Sequence, residues 1–315
     1  MGFMDRLIGR SAPPAPAGVF PSLALDATLP TETSGAETVS LVSIAKPVWA
    51  YGVETTPGLL PPKAPAARRI AFTQLATPGL PDLRERLDRP EDDLGRFARG
   101  FPLWLAETMY FSVNYTPIAV LGSREQSRHV LFPHPWTPAN IQQIVDTAAD
   151  GLDFVLTGSL TGGDGNQWTL SLQLWDVAKA RERKTWSSSF ARDNADRALV
   201  EFHTHFRLFM EWAAYPEDAG LIYTAPSRPS PWIRTLGISA SAFLAEQNAL
   251  DRAQIDLPSS LIDQVAENAV TGETASLAWL TLAARARRLG LVTELPAVQL
   301  LPTPLVKSLS AAGVV

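Results

Sequence analysis

The 315-residue chain contains no cysteine. That excludes disulfide staples, thiolate nucleophiles and cysteine-held zinc or iron–sulfur centres. Charge is sparse too: Asp, Glu, Lys and Arg together make up 19% of the residues, and the formal net charge is −5. Basic residues gather only in the short clusters Arg181–Lys184 and Arg285–Arg288. A sequence-independent nucleic-acid binder needs a broad cationic surface to neutralise phosphates, so nucleic acid is not expected as a partner. No run of about 20 apolar residues occurs, so no transmembrane helix is expected. The first ten residues, MGFMDRLIGR, lack the apolar stretch of a secretory leader, which makes the cytoplasm the expected location.

What is present is apolar. Hydrophobic residues reach 46%, enough to build a sizeable core. Ten of the 26 prolines fall within the first 65 residues, which marks residues 1–66 as an arm rich in Pro and Ala and partly extended. Within it Phe3, Met4, Leu7 and Ile8 share one face of a short helical segment. Phe3 and Leu7 are candidates for weak docking to a protein or a membrane surface, set against an ordinary frayed terminus. Val39–Ile44 and Val48–Val53 are apolar enough to add an edge strand or a strap to the domain that follows.

Residues 67–192 read as an α/β domain. Arg69–Leu75 is a short apolar strand, and Leu94, Phe97, Phe101, Leu105 and Met109 are spaced as one face of a helix over Asp92–Ser112. Gly100 and Pro102 predict a kink or a break in that helix. Thr116–Gly122 is a second strand. Thr137-Pro138 supplies a cap followed by proline at the first helical position, with Ile141, Ile144, Val145 and Ala148 as the buried stripe. Then comes a three-stranded antiparallel meander. Trp168, Leu170, Leu172 and Leu174 alternate with polar residues, as on a strand buried on one side, and Trp175 breaks the pattern. The glycines of Gly162–Asn166 suit a hairpin tip, and Lys184–Phe190 is the third strand. Residues 193–315 read as helical, with segments over Ala195–Trp212, Ile233–Gln247, Pro258–Val270 and Glu273–Leu289 and a last short helix after Thr303-Pro304. The fold class expected is therefore a mixed α/β sheet, ordered strand–helix–strand–helix–meander, with an all-helical C-terminal part.

Three segments within Asp153–Phe190 carry a family resemblance: Phe154-Val155-Leu156-Thr157-Gly158-Ser159-Leu160, Leu172-Gln173-Leu174-Trp175-Asp176, and Thr185-Trp186-Ser187 with Phe190. In order and spacing they resemble the end of the TolB N-terminal-like domain, and the upstream strand–helix order extends the resemblance to residues 69–190. Two positions depart from the family pattern. Thr73-Gln74-Leu75 stands where the family has a Pro-Phe pair, and Ala178–Arg183 is a turn without glycine. The resemblance implies an α/β domain used for contacts or assembly in bacteria, with no catalytic residues to transfer.

A search for chemistry returns little. His203 and His205 sit two apart on a predicted helix and point about 200° apart, which prevents joint ligation of a metal. His129 and His134 flank Phe132-Pro133 and suit surface or capping roles better than a metal site. The glycine-rich tip lacks the Lys-Ser/Thr and following helix of a phosphate loop. Gly158-Ser159 lacks the second glycine of a nucleophile elbow. No cofactor and no enzymatic activity are expected. The tryptophans are the candidates for partner contact, since Trp is enriched at binding hot spots: Trp175 on the polar face of its strand, and Trp136 and Trp232 in Pro-Trp dipeptides. The expectation is a non-enzymatic protein-interaction or scaffold protein, acting on other proteins or as a homo-oligomer. The alternatives are a small-molecule-sensing module and an unrecognised hydrolase.

Overall fold

The computed structural model describes residues 19–24, 38–54, 56–124, 128–162, 166–216 and 220–311. Eight strands form one mixed sheet: β1 (Val19–Ala24), β2 (Thr38–Ile44), β3 (Arg68–Thr73), β4 (Tyr115–Arg124), β5 (Arg128–His129), β6 (Phe154–Gly162), β7 (Gln167–Asp176) and β8 (Arg181–Ala191). The order is β1-β2-β4-β3-β6-β7-β8, with β5 paired to β4. β3 lies parallel to both β4 and β6, and the other pairs are antiparallel. The strand–helix–strand–helix–meander order is present. The strand read from Val39–Ile44 is not an edge: β1 lies outside it.

The helices are α1 (Leu83–Leu87), α2 (Asp93–Tyr110), α3 (Pro138–Thr147), α4 (Ala195–Phe209), α5 (Pro229–Glu246), α6 (Ser259–Ala269), α7 (Glu273–Arg288) and α8 (Pro304–Ala311). α3 begins as expected, with Thr137 and Asn140 bonding each other's backbone N–H in a capping box and Pro138 in the first turn. α5 starts four residues before its apolar stripe. Pro229 and Pro231 fit there because the first-turn N–H groups of a helix have no intrahelical partner.

Strand alternation sorts the side chains to two faces. Phe72, Ala119, Leu156, Leu172 and Leu174 point to the face covered by α2, α4 and α5. Ala71, Val120 and Val155 point to the other, covered by Ile141 and Ile144 of α3 and by Phe132 and Trp136. The first cluster runs from Val42 to Leu309, so the N-terminal segment, the α/β part and the C-terminal helices share one core. Trp49, in a 3-10 turn after β2, is fully buried within it. A third cluster joins α5, α6 and α7 through Ile238, Leu261, Val265, Trp279 and Leu282.

α2 is continuous, without the break that Gly100 and Pro102 suggest. Pro102 has no N–H to offer the carbonyl of Ala98, four residues earlier. That carbonyl accepts instead from the backbone N–H of Leu75, at 3.1 Å, just past the end of β3. The proline thus frees an acceptor that ties the helix to the sheet. Gly100 serves a different contact. A Cβ there would stand 1.9 Å from the carbonyl oxygen of Ile233 on α5, and a Cβ on Gly237 of α5 would stand 2.3 Å from that of Arg96 on α2. The two glycines let the helix backbones touch.

Gln74, just past the end of β3, joins two neighbouring segments through its side chain. Gln74 donates from Nε2 to the Val130 carbonyl (2.8 Å) and accepts from the Gly122 N–H (3.1 Å), pinning the 130–136 segment beside β4.

Gly100→Ala and Gly237→Ala are each expected to destabilise the protein by about 3 kcal/mol or more, because the added methyl meets a backbone carbonyl that cannot rotate away. Gly162→Ala, where nothing lies within 4 Å of the added atom, is expected to leave the urea midpoint nearly unchanged. Equilibrium urea unfolding of the three variants checks this.

Candidate interaction site

The polar residues of the α2–α5 interface form two buried groups. In the first, Arg99 of α2, fully buried, lies 2.9 Å from the Glu91 carboxylate and donates to the Ser241 hydroxyl of α5 at 2.8 Å. His129 donates from Nδ1 to Gln254 Oε1 at 2.9 Å nearby, and burial lowers its pKa. In the second group, Trp49 donates from Nε1 to Glu107 at 3.0 Å, and the Trp232 indole borders the same carboxyl without completing a hydrogen bond. Burial pushes Glu107 up to about 8, so the acid is neutral at pH 7.

One residue along, the Thr108 hydroxyl lies 2.9 Å from each of Trp104 O, His203 Nε2 and the Tyr223 hydroxyl. A hydroxyl has one proton. With it directed to the Trp104 carbonyl, His203 and Tyr223 must both donate, which assigns neutral His203 with its proton on Nε2. Burial, together with the charge of Arg207, lowers His203 to about 3, and its ring stacks on Trp104 at 4.7 Å. These groups are consumed by packing and hydrogen bonding. Among the described residues no three His, Asp or Glu side chains gather as metal ligands.

The surface of interest lies at the other end of the sheet. β8 follows β7 as the last strand in the order, so its outer edge has no strand beside it among the described residues. Trp186 of β8 is half-buried and is met edge-on by three phenylalanines of α4: Phe202, Phe206 and Phe209, at 6.2, 5.8 and 5.3 Å. Between β7, β8 and α4 runs a groove of about 180 Å³. Leu170, Leu172, Trp186 and Phe202 supply its apolar lining, and Glu201 and His205 its polar rim. The outer side of α4 carries Val200 and Leu208 two turns apart, with Leu208 78% exposed, and Ile222 follows in the next loop at 62%. Apolar side chains this open, next to an apolar groove and a free strand edge, suit contact with another protein.

The tryptophans singled out in the sequence are placed otherwise. Trp136 is buried, and its Nε1 donates to the Gln74 carbonyl at 2.9 Å while its ring packs on Phe132 at 4.8 Å. Trp232 is buried on α5 beside Glu107. Both are corrected as partner contacts: the chain's own core occupies their surfaces. Trp175 is half-buried on the α3 face of the sheet, where it packs at the margin of the second cluster with Leu152 and Val177. Phe3 and Leu7 lie outside the described residues. Sequence reasoning put Trp186 on a strand but did not single it out. Its Trp-x-x-x-Phe spacing with Phe190 was a visible signal of its face, not of its position at the sheet's edge.

The fold and site define a mixed α/β protein with a helical layer and an exposed helix–strand face. The chain matches no protein-family profile, and no curated protein matches it by sequence. Among solved structures it is similar to TolB from Acinetobacter baumannii, at 14% identity and a TM-score of 0.23, over 43% of this chain and 25% of that one. A likeness that weak transfers no residue roles. Among the described residues no helix is long and apolar enough to cross a membrane.

Glu107 offers a direct test of the buried polar core. Its folded pKa of about 8 lies above that of an unfolded glutamate. As pH rises through the unfolded value the unfolded chain loses its proton first, so this residue's contribution to stability declines until the folded pKa is reached. Glu107→Gln is therefore expected to gain on the wild type by about 1 kcal/mol per pH unit between pH 5 and 8, read as the difference in unfolding free energy at each pH.

Proposed function

We propose that the protein is a non-enzymatic interaction module whose partner, another protein, docks on the β8–α4 face. The observation that carries this is the continuity of that surface. A strand edge with no strand beside it among the described residues, a groove floored by Trp186 and Phe202, and the exposed Leu208 all belong to neighbouring elements. The chemistry suits docking. Burying Leu208 and the groove lining would supply hydrophobic free energy of about 25 cal/mol per Å². Glu201 and His205 would give the rim hydrogen-bonding specificity. The four exposed charged residues Arg181, Glu182, Arg183 and Lys184 at the start of β8 discourage indiscriminate edge pairing and favour a partner with matched charges.

Support for a non-enzymatic role comes from the fate of three strongly displaced titratable groups. Glu107 and His203 are held in core contacts with Trp49, Thr108 and Trp104, and Lys63, lowered by burial to about 7, donates to the backbone carbonyls of Tyr110 and Tyr115.

Photo-crosslinking in the native host tests the reading. A benzophenone amino acid at position 208 is expected to yield a discrete protein adduct, and the same group at Val270, which is 46% exposed just past the end of α6, is expected to yield none. Leu208→Glu is expected to lower recovery of the same partner at least tenfold while the unfolding midpoint stays within the small range typical of surface substitutions. A folded protein that gives no adduct from position 208 would defeat the proposal.

A further inference from the structure

A second concavity, of about 660 Å³, opens where first turns of four helices approach one another: Arg96 of α2, Asp196 of α4, Ser230 of α5 and Ser260 of α6 all line it. Four arginines border it, Arg96, Arg192, Arg228 and Arg234, against three carboxylates, Asp93, Asp193 and Asp196. On a chain whose net charge is −5, this is a local surplus of positive charge.

Two of the carboxylates, Asp93 and Asp196, contact the guanidinium groups without using up their donors. Asp93 takes Arg234 through Nε (2.6 Å) and Nη2 (3.0 Å), and Arg192 through Nη2 (2.5 Å). Burial alone would raise the Asp93 carboxyl, but the hydrogen bonds and charge of Arg234 and then the charge of Arg192 outweigh it and hold the group below its ordinary value. It therefore stays ionised and the clamp persists at neutral pH. Asp196 accepts from the Ser230 N–H at 2.7 Å and stands 3.6 Å from Arg228 Nε.

Each guanidinium carries five N–H donors. Arg192 keeps Nε and Nη1 free of these contacts, and Arg228, 70% exposed, keeps both terminal nitrogens. Arg96 donates one nitrogen to the Glu91 carbonyl, while its Nε is out of solvent with no partner.

We propose that this cleft binds a phosphorylated polar small molecule, with Arg192, Arg228 and Arg96 donating to its phosphate oxygens. Pre-oriented guanidinium groups with unused donors match the bidentate geometry of phosphate. The apolar lining is confined to Ala195, Pro231, Pro258 and Leu261. The Ser230 and Ser260 hydroxyls and the Asn166 and Gln264 amides supply the uncharged polar lining, which suits a hydroxyl-bearing phosphate ester rather than an aromatic nucleotide base. The positive ends of the four helix dipoles add in the same sense, but the arginines carry the site. The proposal is independent of the β8–α4 docking reading.

Isothermal titration calorimetry of the full chain tests it, with glycerol 3-phosphate and inorganic phosphate as probes at constant ionic strength. Saturable binding of glycerol 3-phosphate is expected, weakened roughly tenfold by Arg228→Gln and by Arg192→Gln, since a charge-assisted hydrogen bond contributes on that scale. Both side chains are substantially exposed, at 70% and 48%, and unchanged thermal midpoints would confirm folding. Arg181→Gln, on exposed β8, is expected to leave the affinity unchanged. No saturable binding up to about 10 mM, far above the range of a specific site, would overturn the proposal. So would binding of inorganic phosphate but not of glycerol 3-phosphate, or an affinity in both cleft variants equal to that of the wild type.

Discussion

The close approach of α2 and α5 is the constraint on which the remaining structure depends. Gly100 and Gly237 remove the two side-chain carbons that would hold the backbones apart. Everything polar at that interface requires the resulting separation. Arg99 reaches Ser241 only across it, and Glu107 is enclosed with Trp49 and Trp232 because α5 lies directly on α2. α2 in turn lies on the sheet, fixed by the Leu75 N–H on the carbonyl that Pro102 releases. A helix with one glycine and one proline in its middle is thereby clamped on both sides. The intrinsic weakness of those residues in a helix is offset by contacts that no other residue types would allow.

Much of the sheet was legible because its physics is local. Trp168, Leu170, Leu172 and Leu174 follow the period of two that a half-buried strand enforces, and the burial of β7 alternates accordingly. The Thr137 cap followed by Pro138 is equally local and equally legible, whereas Asn140's part in the capping box was not read from the sequence. The continuity of α2 was not legible, since the donor for Ala98 lies 23 positions upstream. The fate of Trp136 was hidden for the same reason: its acceptor is the Gln74 carbonyl, 62 positions away. A tryptophan next to a proline reads as an exposed loop anchor until the acceptor that buries it is known. The candidate site was legible only in part. Trp186 could be assigned a face, but the edge position that gives it meaning depends on no further strand being added after β8, which is a property of topology.

The buried charges bear on specificity as well as stability. Arg99 with Glu91, and Arg285 with Glu246, place guanidinium groups at 0% and 2% exposure. Desolvating such pairs costs about as much as their attraction returns, so they are weak sources of net stability. Their geometry is nevertheless demanding. Arg285 also donates to the carbonyls of Val48 (3.1 Å) and Tyr51 (2.6 Å), so it locks the segment after β2 onto α7. The segment after β2, which itself pairs with β4, is in this way joined to the C-terminal helices. The polar core selects an arrangement that hydrophobic burial alone would leave loosely defined.

The same helix serves both proposed surfaces. α4 begins at the arginine-lined cleft with Ala195 and Asp196, lines the groove from Ala198 to His205, and carries Leu208 about 18 Å along its axis from Asp196. Sharing an element does not by itself couple two sites. Coupling requires that the element have two arrangements which each ligand favours differently. α4 is held along its inner stripe by Leu199, Phe202 and Phe206, and Phe202 and Phe206 pack against Trp186. A rotation that changed one end would have to repack these aromatic contacts, and close-packed interiors resist gradual deformation. The geometry therefore favours binding at each surface on a rigid helix over transmission along it.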